Sequence, residues 1–156
     1  MSDDTLKRML DDALQASASQ RSAEIAAKQR REAEMKTAGE ELKNRVLPRL
    51  LQAQKLWEGK IKLDINDQSG RVIISSPHGN QVSPSIEVSA TGKEHVSYIF
   101  VAHAPGYVHI QEGSGRNRGN RAYEFPVEKM EQLTESVVDD ALRTILQIAT
   151  GLKPQR

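Results

Sequence analysis

The residues of this chain whose types suit chemistry are four histidines, a cluster of arginines among glycines and a scatter of carboxylates. His103 and His109 flank Pro105 and Gly106, a turn dipeptide, so a metal-binding or acid–base pair is the first chemistry to test. In a hairpin with an even loop of two or four residues, His103 lies opposite Val108 and Ala102 opposite His109. Residues directly opposite share a face. This register predicts His103 on the side of Val101, Val108 and Ile110, and His109 on the side of Phe100, Ala102 and Tyr107. The two imidazoles then sit on opposite sides of a sheet, and only an odd loop or a bulge would unite them. No metal ligand set and no cofactor site is expected.

Residues 113–121 hold Arg116, Arg118 and Arg121 among three glycines, with no acid. Glycine backbone and guanidinium forks suit phosphate or carboxylate groups, which makes these arginines the candidates for an anion or nucleic-acid contact. Their G-x-G-x-x-x-G spacing is one residue off a dinucleotide fingerprint, and a strand rather than a helix is expected after it. Tyr107 and Tyr123 flank the loop as candidate stacking faces. Residues 28–36 are also charge-rich, but acids interleave with bases there, as on a solvated helix surface. No G-x-x-x-x-G-K-[ST], G-x-S-x-G or H-E-x-x-H motif occurs. Asp139 and Asp140 are neighbours on a helix and face different directions. An enzyme is therefore not expected.

The elements that would position these groups follow from periodicity. Residues 94–103 carry apolar side chains at both parities of a strand, with Val96, Tyr98, Phe100 and Ala102 on one side and Ile99 and Val101 on the other. Both faces are then expected to be covered, as for a central strand. Around it, alternating runs near 60–65, 71–75, 85–89, 107–111 and 122–126 predict an antiparallel sheet of about six strands. From Glu128, apolar residues recur at helical steps through Met130, Leu133, Val137, Ala141, Ile145, Ile148 and Leu152, and Gly151 with Pro154 supplies the stop.

Residues 1–58 read as helical, with a break expected near 37–39, where Gly39 follows Thr37, or at Pro48. The stretch Leu42, Val46, Leu50, Ala53 and Trp57 is a core-facing stripe. Leu6, Met9, Leu10, Ala13 and Leu14 form a second stripe near the N-terminus. Between the two stripes, Ile25 and Met35 are the large apolar residues in a polar, alanine-rich segment. The expected class is α+β, with an N-terminal helical arm over 1–38 and one α+β domain over 39–156. The two helical faces fit one on each side of the sheet, or both on one side with a dimer covering the other.

Composition narrows the function. The 156 residues include 22 basic and 21 acidic side chains, a net charge of +1 that exerts no global pull towards nucleic acid or anionic lipid. Cysteine is absent, which excludes disulfides, thiolate metal sites and Cys nucleophiles. The acidic N-terminus has no signal-peptide pattern and no apolar run approaches a membrane span, so a cytoplasmic protein is expected. A polar helix of thirty-odd residues has little to bury alone and is marginal in water. The expectation is a non-enzymatic interaction or assembly module, adaptor- or chaperone-like. It would act as a homo-oligomer, a dimer above all, or with a partner protein, through Leu6, Met9, Leu10, Leu14 and Ile25. The alternative is nucleic-acid or phosphate-ligand binding through Arg116, Arg118 and Arg121. A small-molecule site between sheet and helix ranks third, and no residue singles it out.

Overall fold

The computed structural model describes residues 2–73, 82–113, 125 and 127–152. Helix α1 spans Asp3–Leu56 without interruption, 54 residues that extend for about 80 Å at 1.5 Å each. Ser2 caps it, its hydroxyl accepting from the Thr5 amide at 3.3 Å, and Asp3 and Asp4 lie at the positive end of the dipole. The expected break is not there, for two local reasons. Thr37 donates back to the Ala33 carbonyl at 3.1 Å instead of capping a new helix. Gly39 is buried against the turn after the first strand: a Cβ on it would collide with the Ser69 carbonyl and stand 3.0 Å from Pro84 Cβ. The glycine is a close-approach point, not a hinge. At Pro48 the donor is missing on an exposed flank, while Val46 and Leu50 on the buried side are wholly inaccessible and hold the helix to the sheet. Gly59, at φ +83°, and the Lys60 and Ile61 amides donating to the Trp57 carbonyl finish the helix.

Strands β1 (Leu63–Gln68), β2 (Ser85–Thr91), β3 (His95–Ala104) and β4 (Tyr107–Glu112) form one antiparallel sheet in the order β1-β2-β3-β4. The sheet has four strands where about six were expected. Ile73 makes only an isolated bridge to Val82, and positions 74–75, 122–124 and 126 of the other two expected strands lie outside the described residues.

Among the described residues the core lies on one face of the sheet. Ile86, Val88 and Ala90 of β2 and Val96, Phe100 and Ala102 of β3 are fully buried, with Tyr98 2% exposed. The register places these residues on one face, and they share a core with Leu42, Val46 and Leu50 of α1. Helix α2 (Glu135–Ala149) packs beside α1 on that same face through Val138, Ala141, Leu142, Ile145 and Ile148. Each of the Val, Leu and Ile side chains contributes about 1.5–3 kcal/mol of burial. Ile99 and Val101 on the opposite face are half-buried, and among the described residues no helix or strand covers them.

Helix α2 starts later than its apolar spacing suggested. Met130–Gln132 is a 3-10 turn, and Thr134, in extended conformation, precedes the first α-helical residue. Gly151 at φ +82° marks the far end, and Leu152 beyond it is 63% exposed instead of joining the buried face. Arg49 ties the helices together: its Nε donates to Asp139 Oδ1 at 2.6 Å and Nη2 to Oδ2 at 3.1 Å. That hydrogen-bonded guanidinium holds the Asp139 carboxyl below the usual carboxylate range. Asp140, one position on, pairs with Arg143 at 3.0 Å.

Candidate functional site: the helical arm and the open sheet face

Helix α1 meets the domain only from about Met35 onward. Residues 2–31 are all exposed, and Met35, Ala38, Gly39 and Leu42 are the first fully buried side chains. About 48 Å of helix therefore stands clear of the domain. Along the arm, Leu6 is 48%, Met9 55%, Leu10 59%, Leu14 60% and Ile25 58% exposed. Five large apolar side chains of the arm therefore face solvent.

The stripe has a definite direction. Leu6 and Leu42, Leu10 and Val46, and Leu14 and Leu50 are each separated by thirty-six residues, which is about ten whole turns. The exposed leucines of the tip thus point the same way as the buried residues that clasp the sheet. Ile25 follows Leu14 by eleven residues, about three turns, and lies at the edge of the stripe. Met9 lies further round the helix, on the stripe's flank.

The face of the sheet away from the helices carries the histidine pair. His103 and His109 come together there: their Nδ1 atoms are 2.9 Å apart and their rings 4.9 Å. This corrects the even-loop expectation of opposite faces. The two-residue loop is present, with Ala104 opposite Tyr107, but the next pair is Val101 with His109. Two residues of β3 therefore face one of β4, a bulge. The cause was present in the sequence. Pro105 fixes φ negative, which forbids the I′ and II′ turns whose twist matches a hairpin. Pro105 with Gly106 at φ +78° makes a type II turn, and the bulge takes up the mismatch.

Gln111 Oε1 can only accept, so His109 Nε2–H donates to it at 3.0 Å. Of the two facing Nδ1 atoms, one carries the proton that the other accepts. Burial first, and His109 second, hold His103 below the ordinary histidine range. Beside them on this face lie Ile99, Val101 and the Glu87 carboxylate, which accepts from the Ser97 hydroxyl at 3.3 Å. Two imidazoles can pass a proton between their facing Nδ1 atoms, and among the described residues no three His, Asp or Glu side chains gather as a metal-holding group.

The other sequence candidates are dispersed. Arg116, Arg118, Arg121 and Tyr123 lie outside the described residues, as does His78. Tyr107 is 48% exposed, its ring 6.2 Å from that of His103. His95 Nδ1 pairs with Thr91 Oγ1 at 2.9 Å. Asp67 is held below the usual carboxylate range: burial works to raise it, and hydrogen bonds from Ser69 and the nearby Lys43 outweigh that. A shallow groove of about 320 Å³ runs between α1 and α2, lined by Arg49, Leu56, Trp57, Asp139 and Leu146. It is an open helix–helix seam, with Arg49 and Asp139 already satisfying each other. No described helix is long and apolar enough to cross a membrane. In comparisons with known proteins, the chain matches no family model, no curated protein and no solved structure.

Proposed function

We propose that the protein is a non-enzymatic assembly module that works as a homo-oligomer through its N-terminal arm. The observation that carries this reading is the roughly 48 Å of helix that projects from the domain with Leu6, Leu10 and Leu14 about half exposed on one line. A helix with no tertiary contact owes its stability to propensity alone, and in water that is marginal. Docking the stripe on another chain buries the leucines and holds the helix together. The second copy is the simplest partner, because every copy carries the same unsatisfied stripe and a two-fold axis satisfies both at once.

The test is substitution in the full chain. Leu6→Glu, Leu10→Glu and Leu14→Glu together remove apolar surface that the domain does not use. At about 1.5–3 kcal/mol for each buried leucine, association should weaken by at least ~100-fold, read by sedimentation velocity. The domain's near-UV circular dichroism should stay unchanged. Unaltered association in the triple variant would remove the arm from the assembly.

Binding of nucleic acid or a phosphate ligand through Arg116, Arg118 and Arg121 is the second reading, supported by the cluster of three arginines without an acid over residues 113–121. Its signature is affinity that falls steeply with salt and disappears when the three arginines become alanine.

A further inference from the structure

The direction of the stripe limits how two arms can meet. We infer that the arms pair antiparallel about a two-fold axis near residues 18 and 19, each tip lying along the shaft of a second copy. This rests on the proposed arm-mediated assembly and specifies its geometry.

The first argument is steric. Leu6, Leu10 and Leu14 share their direction with Leu42, Val46 and Leu50, which are buried against the sheet in the core. Helices that pack through such stripes lie 8–10 Å apart. In a parallel pair, the second helix would continue at that spacing past Met35 and run through the space that the first chain's sheet and α2 occupy. In an antiparallel pair each tip stops where the other domain begins. The two domains then sit at opposite ends, and the projecting segments overlap over their whole length without obstruction.

The second argument is the spacing along the seam. Positions 6, 10, 13, 17, 20, 24, 27 and 31 lie at steps of four and three along one line of the helix, the line that faces a partner in paired helices. They are apolar at the tip, with Leu6, Leu10 and Ala13, and further down they mix the small Ser17 and Ala27 with Gln20, Glu24 and Arg31. Two identical helices that run the same way would set Glu24 on Glu24 and Arg31 on Arg31. Running opposite ways, Leu10 meets Ala27, and Leu6 meets the aliphatic stem of Arg31.

The third argument is charge. Residues 3–18 carry four acids, Asp3, Asp4, Asp11 and Asp12, against the bases Lys7 and Arg8, a net −2. Residues 19–34 carry four bases, Arg21, Lys28, Arg30 and Arg31, against three acids, a net +1. Parallel pairing sets the acidic tips side by side, whereas antiparallel pairing sets each against a basic shaft.

The chain has no cysteine, so one introduced cysteine carries one spin label, and dipolar spectroscopy on the full chain reads the geometry. Ala18→Cys lies near the axis and off the seam, and Asp4→Cys lies at the tip. Antiparallel arms place the Ala18→Cys labels within roughly 25 Å and the Asp4→Cys labels about 44 Å apart, from the helix rise and spacing. Short distances at both positions would show parallel arms, overturning this inference while leaving arm-mediated assembly standing. No dipolar coupling at either position would overturn both.

Discussion

At the scale of single residues, the histidine pair shows how one constraint propagates. Pro105 dictates a turn type, the turn forces a bulge, and the bulge carries His109 to the face of His103, where their Nδ1 atoms stand 2.9 Å apart. Burial, with the neighbouring His109, holds His103 below its ordinary value of 6.5. The sign of the pH effect follows. Below about 6.5 the unfolded chain binds a proton that the folded chain resists, so this residue's share of stability is complete above that pH and is lost as pH falls towards the folded value. His103→Gln should flatten the stability profile below about pH 6.5, measured by urea unfolding at stepped pH. A profile for the variant that is as steep as that of the unaltered chain would mean the pair contributes nothing to it.

Among the elements, α1 was partly legible and partly not. Its two stripes stand out because leucines at steps of three and four need no knowledge of what lies opposite. Its continuity does not, because the role of Gly39 depends on Ser69 and Pro84, thirty and forty-five residues further along the chain. Helix propensity alone makes Gly39→Ala stabilising by about 1 kcal/mol. The close approach to Ser69 argues for the opposite sign. Overpacking of this kind costs roughly 1–3 kcal/mol, so Gly39→Ala should lower the midpoint of thermal unfolding, and a raised midpoint would restore the reading of Gly39 as a mere helix weakener. For β3, apolar residues at both parities suggested two covered faces, yet Ile99 and Val101 lie half-buried among polar neighbours such as Glu87 and Ser97. Alternation reports which residues are apolar, and among the described residues no helix or strand meets these two. The start of α2 was misplaced for a similar reason: Met130 and Leu133 are buried, but through a 3-10 turn whose apolar spacing mimics a helix.

On the scale of the whole molecule, both helices lie on one face of a four-stranded sheet, and one of them runs on far beyond it. The domain closes its own core, with fully buried residues from α1, α2 and the inner strands. Among the described residues the arm does not close on anything within its own chain. The near-neutral balance of 22 basic and 21 acidic residues gives copies of the chain little mutual repulsion, and charge of opposite sign in the two halves of the arm supports the proposed pairing with a second copy over binding of a general polyanion. The most direct measurement is the molar mass of the unaltered full chain by light scattering after size exclusion, over a range of concentrations. The account predicts twice the 17.3 kDa of one chain, falling towards a single chain on dilution. A mass of 17.3 kDa at every concentration would contradict it.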